Sequence, residues 1–167
     1  MIKPHAYDTF TLSYGGNTVA LRPSLRAATH LEQLHTGFPN LLKKVAEGDT
    51  ATLREIITSA ATDRTAAHNI LSAMAGAKLK NVQKAAIKAA YAVIQAILTP
   101  NPDIAEKPTE ATAPAKPVEW ADLFNDLYRI ATGWLGWPPE TAWAATIPEI
   151  TEAFEGHTAK LKAIHGG

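Results

Sequence analysis

Cysteine is missing from the chain altogether. Disulfides, thiolate metal sites and a cysteine nucleophile are thereby excluded, while the compartment is left open. Charge is sparse: 19% of residues are Asp, Glu, Lys or Arg, below the roughly 25% usual for a globular domain. The 16 basic and 16 acidic residues cancel, so no overall field steers the protein toward nucleic acid or an anionic membrane. Long hydrophobic runs are lacking as well. The most apolar stretch, AAIKAAYAVIQAIL at 85–98, is interrupted by Lys88 and Gln95 and is too short to span a bilayer. The first residues, MIKPHAYDTF, have no apolar core of the kind a secretory signal needs. The expectation is a cytosolic protein that engages neither nucleic acid nor membrane.

Signatures of catalysis are equally scarce. There is no HExxH pair and no GxSxG elbow, so neither zinc hydrolysis nor serine hydrolysis has an anchor. The Gly-Gly pairs at Gly15-Gly16 and Gly166-Gly167 lack the pattern of a phosphate cradle. His30 and His35 are five residues apart, which puts them on different sides of a helix. His157 falls on an apolar stripe and reads as a partly buried structural histidine. Asp122 and Asp126 share a helical face and read as solvated surface rather than an acid–base pair. Lys80, Lys84 and Lys88 line one helical edge, with Lys43 and Lys44 elsewhere, and no nucleic-acid reading motif accompanies them. No catalytic residue, metal site or cofactor is expected.

What the chain does have is 46% hydrophobic residues, enough for one ordinary domain or two small ones. Residues 99–118, TPNPDIAEKPTEATAPAKPV, hold five prolines and no aromatic residue. Such a segment neither forms a helix nor buries apolar surface, so it reads as a linker between 1–98 and 119–167. It would separate its ends by about 25 Å as a flexible coil and up to about 60 Å as extended polyproline. Charge divides along the same line. Residues 1–98 carry eleven Lys and Arg against six Asp and Glu, a net of +5, and 119–167 carry three against seven, a net of −4. The plainer reading is two solvated faces of opposite sign; the sharper one is that the halves meet different surfaces or attract each other.

In the first part, Phe10, Leu12 and Tyr14 alternate with polar residues, then GGN precedes Val19 and Leu21. A turn at Gly16-Asn17 pairs Tyr14 with Val19 and Leu12 with Leu21 on one face of a hairpin, which needs helices against it. Ser24 caps a helix to about His35, ended by Gly37 and Pro39. Asn40 caps LLKKVAE, Thr50 or Thr52 opens the next helix, and Asp63 caps another that Gly76 ends. A longer helix runs from about Lys80 to Leu98. Val82, Ala86, Val93 and Ile97 form one apolar stripe on it, and Ile87, Tyr91, Ile94 and Leu98 a second. It is either central to the bundle or shared with a partner, which leaves self-association open.

The second part concentrates aromatic surface and helix stops. WLGWPPETAWAATIPEI, 134–150, contains three of the four tryptophans and three of the eleven prolines. Trp120, Leu123, Phe124, Leu127, Ile130, Ala131 and Trp134 follow helical spacing, ended by Gly136. Pro138 and Pro139 suit the entry to PPETAWAA. Thr146 is a cap, with Pro148 in the first turn behind it and Glu149 completing a capping box. Ile147, Ile150, Phe154, His157, Leu161 and Ile164 then repeat at 3-4-3-4-3, with Gly156 either breaking or continuing that helix. The fold class is therefore mainly α: an N-terminal β-hairpin packed on a small helical bundle, the Pro-rich linker, and a short Trp-rich three-helix piece. Independent parts imply that Trp137→Ala or Trp143→Ala destabilises the second without unfolding the first.

WLGWPPETAWAATIPEITEAFEG resembles the tail assembly chaperone family of phages and gene transfer agents. That family shows a Leu-Gly-Trp-x-Pro-x-x-x-Trp run and then Thr-Pro-Glu-Leu opening a final helix. Leu135, Gly136, Trp137, Pro139, Trp143, Pro148 and Glu149 match, and Trp120 matches a tryptophan upstream. Ile147 intervenes between Thr146 and Pro148, and Ile150 replaces the leucine. The first part, through LRPSLRAATHLEQLHTGFPNLLKKVAEGD, resembles a small tail protein of gene transfer agents that sits beside that chaperone. The resemblance implies a fused, non-enzymatic assembly factor in the cytoplasm of the host cell. It would bind the tape-measure protein, recruit tail-tube subunits and be absent from the mature virion. The alternative is a structural minor tail protein, for completion or tube capping. A holder of a long helical guest needs apolar grooves and aromatic anchors engaged reversibly. The partner-binding candidates are Trp120, Phe124, Trp134, Trp137, Pro139, Trp143, Ile150 and Phe154.

Overall fold

Alternating apolar and polar residues form the two antiparallel strands β1 (Phe10–Tyr14) and β2 (Asn17–Leu21), paired Phe10 to Leu21, Leu12 to Val19 and Tyr14 to Asn17. In this computed structural model residues 9–77, 79–99 and 119–165 are described, the side chains of 79–81 excepted. The turn is Gly15-Gly16 rather than Gly16-Asn17. Both glycines have positive φ, 57° and 78°, which a two-residue hairpin turn of this hand requires at both positions. A side chain at Gly15 would also approach the Ala73 Cβ at 3.4 Å. The register moves by two residues relative to the expectation, so the inward face is unchanged: Leu12, Val19 and Leu21 are buried.

Helices α1 (Leu25–Gln33), α2 (Phe38–Ala46), α3 (Thr50–Ala60), α4 (Arg64–Ala75) and α5 (Leu79–Leu98) follow. Strand β1 lies against α5, and β2 against α4. Ser24 and Asp63 cap α1 and α4 as their positions suggest, accepting from the backbone of Ala27 and of Thr65 and Ala66. One start differs from the sequence reading, while α3 opens at Thr50, one of the two expected positions. Helix α2 begins at Phe38, with Pro39 in its first turn, because proline's missing N–H costs nothing there; Asn40 is inside and donates to Thr36. Helix α3 is capped by Asp49, whose carboxylate accepts from both the N–H and the hydroxyl of Thr52. On α5, Ala86, Ala89, Ala90, Val93, Ile94 and Ile97 are buried, while Lys84 and Lys88 are exposed; the Lys80 side chain is outside the described residues.

Helix α6 (Trp120–Arg129) widens into a π turn, Ile130–Trp134, then α7 (Pro139–Ala144) and α8 (Ile147–His165) follow. The expected capping box is present: Thr146 N–H donates to Glu149 at 2.8 Å, and Glu149 N–H to the Thr146 hydroxyl at 3.3 Å. Helix α8 runs straight through Gly156, since one helix-interior glycine costs only about 1 kcal/mol.

Across the expected boundary the packing is continuous. One buried cluster joins Leu21, Leu25, Leu31 and Phe38 to Phe124, Leu127, Ala142 and Ile150. Helix α1 packs on α6 and α7 as well as on α3. The two pieces share a core, because neither α1 nor α6 can cover its apolar face without the other. The expected linker, 99–118, lies, but for Thr99, outside the described residues.

Candidate functional site

The Trp-rich piece is a hook of two short helices and the longer α8, whose bends follow from its punctuation. Gly136 takes a positive φ of 67°, and the chain reverses there into Pro138 and Pro139. Just before it, Leu135 N–H reaches back five residues to the Ile130 carbonyl at 3.0 Å, and just after it Trp137 N–H reaches the Ala131 carbonyl at 2.9 Å. The Thr132 hydroxyl donates to the Tyr128 carbonyl at 2.8 Å, a bond that competes with the helical ladder and favours bending.

This π turn decides where the aromatic residues go. Phe124, Leu127 and Ala131 are buried, and regular helical spacing would bring Trp134 onto the same stripe. One extra residue in the turn rotates the following positions by about 100°. Leu135 comes inward, half-buried, and Trp134 swings out to 62% exposure. The spacing had placed Trp134 with the inward residues; the structure puts it on the surface.

The eight candidates therefore separate. Phe124 and Ile150 are core residues, 2% and 0% exposed, and offer nothing to a partner. Trp120 is half-buried, edge-on to Phe38 at 5.4 Å and beside Phe124 at 5.9 Å. Trp143 is half-buried and stacked on Tyr128 at 4.6 Å, so both tryptophans mostly build the hook. Trp137 is half-buried, and Pro139 is exposed at the start of α7. Trp134 stands edge-on to Phe154 of α8, ring centres 6.2 Å apart.

Two residues that the candidate set omitted extend this pair. Leu161 is 36% and Ile164 60% exposed, on the same 3-4 stripe of α8 as Phe154 and His157. Their signal was in the sequence: the stripe continues for more turns than so small a hook can cover. Trp134, Phe154, Leu161 and Ile164 form an apolar surface that a protein chain could occupy.

The hook is fastened to the first segment by polar contacts. Leu25 N–H donates to the Ala145 carbonyl at 2.7 Å, and Ser24 and Thr146 form an isolated bridge. Arg22 donates to both carboxylate oxygens of Glu149, and its Nε to the Ala144 carbonyl at 3.0 Å. Arg26 meets Glu140 at 2.9 Å. Two contacts thus pair a basic residue of the first part with an acidic one of the second.

An open cleft of about 1030 Å³ lies beside this seam, lined by Arg22, Arg26, Arg54, Arg64, Glu55 and Glu140 among others. Among the described residues no group of three or more His, Asp or Glu could hold a metal, and no helix is long and apolar enough to cross a membrane. Asp49 is held below the usual carboxylate range, first by the Thr52 hydroxyl and next by its N–H. The same hydroxyl lies 2.7 Å from His35 Nε2. As it donates to Asp49, it accepts from His35, a tie that secures the turn where His35 and Thr36 take positive φ.

No family model, curated protein or solved structure matches the chain.

Proposed function

We propose that the chain is a non-enzymatic tail assembly chaperone that holds an amphipathic helix of a tape-measure protein and recruits tail-tube subunits. The observation that carries the reading is the 134–150 motif folded as a hook that leaves Trp134 outside, beside Phe154. A rigid exposed indole next to a second ring is a common anchor for a helical guest. Leu161 and Ile164 lengthen the track to the span of several helical turns. Trp120, Trp137 and Trp143 serve as its scaffold, and Pro139 borders it. The contacts are modest and repeated, which suits reversible holding.

Co-expression with a tape-measure protein from the same source should keep that protein soluble and co-purify with it. A tape-measure protein that stays insoluble, with tails forming normally after deletion of this chain, would sink the reading. The second reading, a completion or tube-capping component, is favoured by the single core that joins both segments. Mass spectrometry of purified particles separates the two, because an assembly chaperone leaves the finished virion and a structural component stays.

A further inference from the structure

The cleft beside the seam is a second concave surface, with walls from α1, α3, α4 and α7. Its volume of about 1030 Å³ is at the top of the roughly 300–1,000 Å³ that small-molecule sites occupy. Part of its lining is apolar: Ala27 and Ala67 are buried, and Leu71 and Trp143 half-buried. An open space of that size suits several residues of another chain better than one small ligand.

The charges around the cleft do not balance. Four arginines line it against two carboxylates. Glu140 is engaged by Arg26 at 2.9 Å and Glu55 by His30 at 3.5 Å, while Arg22 is held by Glu149. Arg54 and Arg64 remain, both exposed and without a hydrogen bond or ion pair among the described residues. Arg54 stands about 9 Å along α3 from the end of that helix at Ala60, and Arg64 opens α4. Two guanidinium groups converging on one hollow suit carboxylates or phosphates. Glu55 and Glu140 in the same walls oppose the closely spaced phosphates of a nucleic acid, and the apolar lining offers such a chain nothing. An acidic protein segment that also carries apolar side chains matches both features.

We propose that this cleft docks an acidic segment of a partner protein, two of its carboxylates pairing with Arg54 and Arg64 and an apolar side chain resting on Leu71 and Trp143. The proposal is independent of the tape-measure reading, which uses Trp134, Phe154, Leu161 and Ile164, none of them in the cleft.

The probe is a fluorescein-labelled helical peptide with two glutamates two turns apart, about 10 Å, and leucines between them. Fluorescence anisotropy with the full chain should show saturable binding that weakens as salt rises. Arg54→Glu with Arg64→Glu should weaken it at least about tenfold. Circular dichroism should not change, since both positions are exposed and an acidic residue suits the start of α4. A peptide with lysines for the glutamates should bind the doubly substituted chain better than it binds the wild type, because the facing pairs regain opposite charge. Absence of binding to the glutamate peptide overturns the proposal, as does binding indifferent to the two arginines. A single-stranded DNA oligonucleotide that binds more tightly than the peptide, and is lost with the same substitutions, assigns the cleft to phosphate instead and overturns it. So does a dimer of the pure chain in sedimentation that Arg54→Glu with Arg64→Glu abolishes, which would make a second copy the occupant.

Discussion

Arg22 and Glu149, 127 residues apart in sequence, are hydrogen-bonded across the seam between the two segments of the chain. Glu149 meanwhile accepts from Thr146 N–H and so caps α8. One carboxylate thus closes a local helix start and a long-range contact at once. The two side chains are only 25% and 14% exposed, against 56% and 87% for Arg26 and Glu140. The inner pair is less screened by water and salt and is the one that matters for stability.

Substituting Arg22 by Ala should therefore destabilise the protein by about 2 kcal/mol, the scale of hydrogen bonds to a charged group. Arg26→Ala should stay within about 0.5 kcal/mol, as an exposed substitution does. Urea unfolding of the two variants checks the contrast. Equal effects would mean that burial does not rank these pairs.

All four tryptophans lie in the second segment, so indole fluorescence reports on that segment while amide exchange in the hairpin reports on the first. The shared core makes both unfold together. Ile150→Ala, at a fully buried position, should cost about 2–5 kcal/mol and shift both signals to the same lower midpoint. Two separated transitions would restore the picture of independent parts.

The capping box should be separable from packing. Thr146→Ala removes the side chain that accepts from Glu149 N–H and should cost about 1 kcal/mol. Thr146→Ser keeps the hydroxyl and should recover most of it, measured by thermal unfolding.

Asp49 has its carboxyl pKa lowered by the two bonds from Thr52. A depressed folded pKa contributes stability that is present above the unfolded value of 3.8 and is lost as pH falls through the lower folded one. Asp49→Ala should thus be destabilised by about 1 kcal/mol near neutral pH. The gap from wild type should narrow below that unfolded value. A gap that does not change with pH would show that the carboxylate charge plays no part.

Trp134 and Trp143 should behave oppositely. Trp134→Ala, at an exposed position, should leave stability within about 0.5 kcal/mol yet weaken retention of a tape-measure helix in a pull-down. Trp143→Ala removes the ring stacked on Tyr128 and should cost about 3 kcal/mol. Retention unaffected by Trp134→Ala would remove this surface from the proposed function.

Much of the fold was legible because local chemistry dictated it. Ser24, Asp63 and the Thr146–Glu149 box act within a few residues of themselves, and alternation from Phe10 to Leu21 orients a hairpin whether Gly15-Gly16 or Gly16-Asn17 turns it. The misplacement at α2 was equally local. Asn40 is a good cap in isolation, but Pro39 is favoured in the first turn, and the helix starts earlier, at Phe38. The candidate surface was less legible. Phe124 and Ile150 look like any apolar residue on a stripe, and only the neighbours that cover them, Phe38 among them, make them core.

By itself the sequence determined which segments are helix or strand, where most of them stop, and which face of each is apolar, since these depend on neighbours within one turn. Tertiary structure alone decided three things. It set Arg22 against Glu149, because no local rule couples residues 127 apart. It joined the flanking segments in one core, because apolar stripes do not specify their partners. It turned Trp134 outward, because a single π turn shifts the phase of every residue after it, and helical spacing read along a chain assumes that the phase is kept.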